Sequence, residues 1–262
     1  MKRLVFLLVA LPLCAAAQDA KKAIEKYQQM LSEGSPAELW ELEGETLWKK
    51  PQGPKNASLE KCDLGLGAGK VEGAYARLPR WFKDTDKVQD LESRLLTCMT
   101  GLQGRSLKDA TARLFGNADR PSEMEYLVAY IVGQSRGHKM AAPVGHAKER
   151  ASYELGKKIF FYRAGAWDFS CASCHGEADK RIRMQDLPVL SEPAGAQKAY
   201  TSWPAYRVSN SQLKTMQWRI NDCYRQMRFP EPEFASEATI ALTHYLAVTA
   251  AGAPYRGPGT KR

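Results

Sequence analysis

Histidine is scarce in this 262-residue chain, four in all, and His138, His146 and His244 each stand alone. A structural zinc site needs further Cys or His ligands at close spacing, so that scarcity excludes one. Long hydrophobic runs are also missing: after residues 4–13 no stretch approaches the roughly 20 uninterrupted apolar residues of a membrane span. Few segments alternate apolar and polar with period two, which argues against a β-rich fold. No segment is of low complexity. The basic residues are scattered and no nucleic-acid motif is present, which removes that class of partner.

What is present begins with the ends of the chain. Lys2 and Arg3 lead into the apolar run 4–13, and Ala15-Ala16-Ala17 has the small-residue pattern of a signal-peptidase site, which predicts a signal peptide over 1–17 and a mature start at Gln18. Cys14 follows the bulky Leu13, which argues against lipidation, and it leaves with the leader. The mature protein is expected in the periplasm without a membrane span. Its 245 residues suit one large domain or two small ones. The formal charge is +9 for the whole chain and +7 once Lys2 and Arg3 are removed, a balance suited to an anionic substrate or an acidic partner.

Five cysteines remain after the leader, an odd number for an oxidising compartment, so at least one acts outside disulfide pairing. Cys171-Ala172-Ser173-Cys174-His175 has the Cys-x-x-Cys-His spacing of covalent haem attachment: two thiols add to the vinyl groups of one porphyrin, and the histidine becomes the proximal ligand. A zinc half-site lacks its second pair, and a thioredoxin-type dithiol lacks a βαβ context. One covalently attached haem c is the expected cofactor.

Helix signals dominate the remainder, and the fold is expected to be mainly α, in two small domains. Ser35-Pro36-Ala37-Glu38 opens a helix running to Trp48. Val88, Leu91, Leu95 and Met99 recur at helical spacing before Gly101, and capped helices are expected from Ser106 and Ser122. Residues 133–148 lose periodicity, which predicts a linker and a boundary between domains 18–140 and 141–262. The second half restarts with a helix whose apolar positions include Leu155, Ile159 and Tyr162. A connection through Pro188, Pro193 and Pro204 then leads to a regular helix over 209–227. Ser209-x-x-Gln212 caps that helix, and Leu213, Met216, Ile220, Cys223 and Met227 form one stripe. A last helix spans about 236–250.

From residue types alone the sixth haem ligand is open among Met184, Met216, Met227, His244, Cys223 or none, and methionine is usual in electron-transfer cytochromes. Cys223 competes because it lies on the inward stripe of the helix after the haem loop. Arg219, four residues earlier, reaches the same face, where a fixed positive charge favours thiolate and its fork can hold an oxyanion. Arg225 and Arg228 are expected in solvent. A plain electron carrier ligated by Met216 or Met227, and a haem sensor with an open site, are the competing functions.

Arg219-Ile220-Asn221-Asp222-Cys223-Tyr224-Arg225-Gln226-Met227-Arg228, following the haem motif, resembles the SoxA family of bacterial thiosulfate oxidation. So do Gly53-Pro54-Lys55-Asn56-Ala57-Ser58-Leu59-Glu60-Lys61-Cys62-Asp63, Leu78-Pro79-Arg80-Trp81-Phe82 and Val88-Gln89-Asp90-Leu91-Glu92-Ser93-Arg94. The resemblance implies two cytochrome c-like domains, a periplasmic heterodimer with the small cytochrome SoxX, and His/Cys ligation of iron by His175 and Cys223. It also implies the activity of an L-cysteine S-thiosulfotransferase, which couples thiosulfate to a cysteine of the carrier protein SoxYZ while electrons leave through haem to a cytochrome c acceptor. In that reading Cys223 is the active-site cysteine, able to carry an extra sulfur, and Arg219 meets substrate. The chain departs from diheme members around Cys62, where no second Cys-x-x-Cys-His occurs, so the first domain is expected to lack haem. Cys62 and Cys98 are then expected to pair as a disulfide, two leftover cysteines in an oxidising compartment whose positions resemble the remnants of a lost haem site.

Overall fold

In the computed structural model, residues 35–261 are described apart from 118, 183 and 184, together with Lys26. The leader 1–17, with Cys14, and the candidate ligand Met184 lie outside the described residues. None of the described helices is long and apolar enough to cross a membrane.

Two helix pairs organise the chain. Helix α1 (Ala37–Lys49) packs on α4 (Glu123–Gly133), and α5 (Ala147–Phe161) packs on α9 (Glu237–Thr249). Both pairs rely on a glycine at the crossing. A Cβ on Gly44 would collide with the Tyr126 carbonyl, and one on Gly156 with the Ala241 carbonyl, so any side chain would push the helices apart. Aromatic rings close each crossing: Trp40 lies 4.4 Å from Tyr126 and Phe160 lies 5.2 Å from Tyr245, centroid to centroid. The α5 face that packs is therefore Gly156 and Phe160. Leu155 and Ile159 are half-buried, and Tyr162 lies beyond the helix end and is exposed.

Between the first pair lie a short hairpin, β1 (Arg80–Phe82) with β2 (Lys87–Gln89), then α2 (Leu91–Gly101) and α3 (Leu107–Thr111). The serine caps of α3 and α4 form as the sequence indicates. Ser106 Oγ accepts from Asp109 N, and Ser122 closes a full capping box with Glu125. At α1 the box expected from Ser35-Pro36-Ala37-Glu38 does not form: Pro36 takes the cap position with no side-chain cap bond, and Ser35 Oγ, one residue earlier, accepts only from Ala37 N among the backbone groups. Val88, counted above with the α2 stripe, belongs to β2; the helix begins after Asp90, whose carboxylate caps it through Ser93 N. Cys62 and Cys98 are joined by a disulfide with 5.6 Å between Cα atoms, as expected.

Residues 134–146 contain no helix or strand, yet they are not a loose linker. Met140 N donates to Ala253 O, Gly252 N to Met140 O and Ala141 N to Ala76 O, so the segment is laced to both halves. Met140 is buried in the cluster that also holds Leu95, Leu127 and Tyr245, a core continuous across the chain.

The second half adds α6 (Cys171–His175), the hairpin β3 (Arg181–Ile182) with β4 (Gln185–Asp186), and α7 (Pro193–Tyr200). A three-stranded sheet follows, ordered β6 (Gln212–Lys214), β5 (Ala205–Arg207), β7 (Gly259–Lys261), and α8 (Met216–Gln226) leaves its edge strand. Here the expected helix over 209–227 is corrected. Residues 208–210 form one 3₁₀ turn, Ser211 takes a left-handed φ of 51°, and 212–214 pair with β5, so the helix starts only after Thr215, whose hydroxyl accepts from Trp218 N. Ser209-x-x-Gln212 imitates a capping box, but Ser209 falls in the turn of a tight hairpin and Gln212 pairs with Arg207 of β5.

Candidate haem and thiol site

The Cys-x-x-Cys-His motif is a single helical turn. Ser170 caps it, accepting from Ser173 N at 3.1 Å while Ser173 Oγ accepts from Ser170 N at 2.9 Å. Helical spacing of i and i+3 stacks Cys171 and Cys174 on one face, and i+4 brings His175 onto the same side. Both thiols are free, as is that of Cys223. His175 Nδ1 lies 2.9 Å from the Pro188 carbonyl. A carbonyl oxygen can only accept, so Nδ1 carries the proton and Nε2 keeps its lone pair, the tautomer a metal-ligating imidazole needs. Burial, with a contribution from Arg219, lowers the pKa of His175 and keeps the ring neutral. Paired free thiols and an imidazole oriented by a backbone carbonyl fit covalently bound haem.

Cys223 projects from α8 to this turn. Cys171 feels the charges of Cys223 and Cys174, Cys223 feels that of Cys174, and the Arg219 charge acts on both Cys223 and His175. Burial drives the Cys171 thiol up to about 12, with Cys223 and Cys174 adding to it. For Cys223 the structure corrects the sequence reading. Arg219 does favour its thiolate, but burial outweighs that charge and the thiol is raised from its ordinary value. Asp222 is part of the reason: it pairs with Arg219 at 2.8 Å and sets a negative charge beside the sulfur.

The surroundings of Arg219 hold residues that spacing alone did not reveal. Its guanidinium lies 5.9 Å from the Trp203 ring centroid. Asp222 also takes Arg225 at 3.4 Å and Gln226 at 3.0 Å, so Arg225 is an ion-pair partner rather than a merely solvated charge. Arg228 stands 5.8 Å over Trp167. Arg207, at the end of β5, adds a second positive charge favouring the Cys223 thiolate, and it lies 6.0 Å over Trp218. Arg207 and Pro188 reach the site through a sheet and a loop, and no local pattern marks them.

The other candidate ligands lie as follows. His244 is fully buried on α9, with Nε2 at 2.9 Å from the Pro143 carbonyl. Met216 and Met227 are buried at the two ends of α8, Met216 within the core cluster.

A mainly helical chain in which a Cys-x-x-Cys-His turn lies under a thiol-bearing helix is a c-type cytochrome, and a family model described as "SoxA/TsdA, cytochrome c domain" matches residues 43–140 and 155–255. Two curated relatives, both described as "L-cysteine S-thiosulfotransferase subunit SoxA", extend the match. The protein of Hydrogenophilus thermoluteolus is 52% identical over 92% of this chain and 88% of its own length, and that of Hydrogenobacter thermophilus is 35% identical over 99% of each. The chain belongs to the SoxA family. Its fold is also that of the crystal structure of SoxXA from P. pantotrophus, with a TM-score of 0.74 and 23% identity over 90% of this chain and 84% of that one.

Proposed function

We propose that this chain is the catalytic subunit of a periplasmic L-cysteine S-thiosulfotransferase, paired with the small cytochrome SoxX. Its reaction joins thiosulfate oxidatively to a cysteine of the carrier protein SoxYZ. An S–S bond forms between the outer sulfur of thiosulfate and the carrier thiol, the thiol proton is released, and two electrons pass to a cytochrome c acceptor. The observation that carries this reading is the convergence of Cys223 and Arg219, on one helix, upon the Cys171–His175 turn.

In this reading Cys171 and Cys174 would hold one haem c covalently, and His175 and Cys223 would ligate its iron. When bound, the haem supplies a one-electron acceptor and a positive metal that favours the thiolate form of its ligand. Arg219, helped by Arg207, attracts and orients the thiosulfate anion, and Cys223 carries the transferred sulfur. Asp222 holds the Arg219 fork in place until an anion competes for it. Residues 18–140 form a haem-less cytochrome c-like domain and 141–262 the haem-binding one, a division supported by the two matched segments and the repeated glycine crossings.

The test combines holoprotein and SoxX with thiosulfate, SoxYZ and oxidised cytochrome c. The expected result is a thiosulfonate mass adduct on the carrier cysteine, formed in step with cytochrome reduction. Cytochrome reduction without an adduct would indicate a plain electron carrier and overturn the proposal.

A further inference from the structure

Helix α8 carries Arg219 and Cys223, yet its first turn is held by the other half of the chain. Gln217 is fully buried. Its Nε2 donates to Asp90 Oδ2 at 2.7 Å, and its Oε1 accepts from Ala235 N at 2.7 Å. Asp90 divides its carboxylate: Oδ2 serves Gln217, while Oδ1 caps α2 by accepting from Ser93 N at 2.9 Å and Ser93 Oγ at 2.6 Å. Just before α8, Lys214 donates to Glu125 of α4 at 2.8 Å and to the Gly116 carbonyl at 2.9 Å, and the ion pair is buried to 2% and 0% side-chain exposure. Glu92, in the first turn of α2, is buried with its carboxyl beside Thr215 and Gln217.

These contacts fix both the rotation of α8 and its position along its axis. Buried polar groups are satisfied in one register only, and a helix turned or slid from it leaves an amide, a carboxylate or an ammonium desolvated and unpaired. Cys223 lies six residues beyond Gln217, about 9 Å further along the axis at 1.5 Å per residue, within the same unbroken helix. A displacement at Gln217 therefore reaches the thiol.

We propose that Gln217, with Asp90 as its partner, is a positioning residue: the domain without a haem motif sets the register of α8 and so places the Cys223 sulfur at the haem site. The inference rests on the reading of Cys223 as an iron ligand. It gives the first domain a role in the chemistry of the second.

The test uses three holoprotein variants and reads the EPR signal of the oxidised haem, with Cys223→Ser as the reference for lost thiolate ligation. Asp90→Asn keeps the Ser93 cap on Oδ1 but turns an amide nitrogen toward the Gln217 amide nitrogen. Gln217→Glu sets two carboxylate oxygens against each other. The double variant restores the bond with its polarity reversed, because the new amide at position 90 donates to the new carboxylate at position 217, whose other oxygen still accepts from Ala235 N. The expected result is one low-spin thiolate signal in the wild type and the double variant, and in each single variant a second species resembling Cys223→Ser. An unchanged signal in both single variants, even with a lowered melting temperature, would make the contact merely structural and overturn the proposal. Failure of the double variant to recover the signal would overturn it as well. If Gln217→Glu does not fold, the isosteric Asp90→Asn and the double variant still decide. A Cys223→Ser spectrum identical to wild type would instead sink the ligand reading itself, and the inference with it.

Discussion

Removing the Cys62–Cys98 bond should lower the melting temperature by an amount the structure allows to be worked out. The two cysteines are 36 residues apart in sequence, and closing such a loop removes about 13 cal/mol/K from the unfolded chain, or about 4 kcal/mol at 25 °C in the chain-entropy model. Both cysteines are buried, at 1% and 5% residue exposure, so a Cys62→Ala, Cys98→Ala protein keeps nearly the same core and loses chiefly the crosslink. The buried Lys214–Glu125 and Gln217–Asp90 contacts tie the two halves together, so the chain should unfold as one unit. For a protein of that size each kcal/mol corresponds to about 2–4 °C, so the double variant should melt about 8–16 °C below wild type in differential scanning calorimetry. A drop of under about 2 °C would refute the reasoning, because it would mean that the bond constrains little of the unfolded chain. Alkylation of both thiols in the native, unreduced protein would refute it more directly.

Three further outcomes follow from the same contacts. Mass spectrometry of the denatured mature chain should show one haem adduct, attached through Cys171 and Cys174; two adducts, or none after expression with haem-maturation machinery, would contradict the single site. Burial, with the charges of Asp90 and Glu125, holds the Glu92 carboxyl well above 4.5, so the folded state keeps a proton that the unfolded chain releases. That contribution favours folding fully below pH 4.5 and is lost as pH rises through the folded value, so Glu92→Gln should melt higher than wild type at neutral pH, with the gap closing toward pH 4.5. A gap that does not change with pH would exclude this cause. Arg219→Ala should lower kcat/KM for thiosulfate about 10- to 150-fold, as expected for losing a charge-assisted hydrogen bond of about 1.5–3 kcal/mol, and an unchanged value would remove Arg219 from the substrate site.

Much of this arrangement is legible in the chain because it depends on local spacing. Cys171, Cys174 and His175 fall on one face of a turn by helical geometry alone. The caps at Ser106, Ser122 and Ser236 form because their hydroxyls meet backbone N–H groups two or three residues on. The misses come from hairpin pairing, packing and ion pairs that the spacing does not report. Residues 212–214 become a strand because β5 pairs with them, and Gly156 rather than Leu155 faces the core because α9 crosses there. The Cys223 thiol is raised because burial, which spacing does not report, outweighs the arginine that spacing does. Asp222 stood in view beside Cys223, but its grip on Arg219 and Arg225 emerges only with the helix folded. Arg207, Pro188 and the Asp90–Gln217 contact come from segments that only the tertiary fold brings to α8 and the haem turn.

The most direct measurement of the central claim is the low-temperature EPR spectrum of oxidised holoprotein beside that of Cys223→Ser. The account predicts a low-spin thiolate signature in the wild type that disappears in the variant. A methionine-ligated or high-spin wild-type spectrum, or a variant indistinguishable from it, would contradict the account.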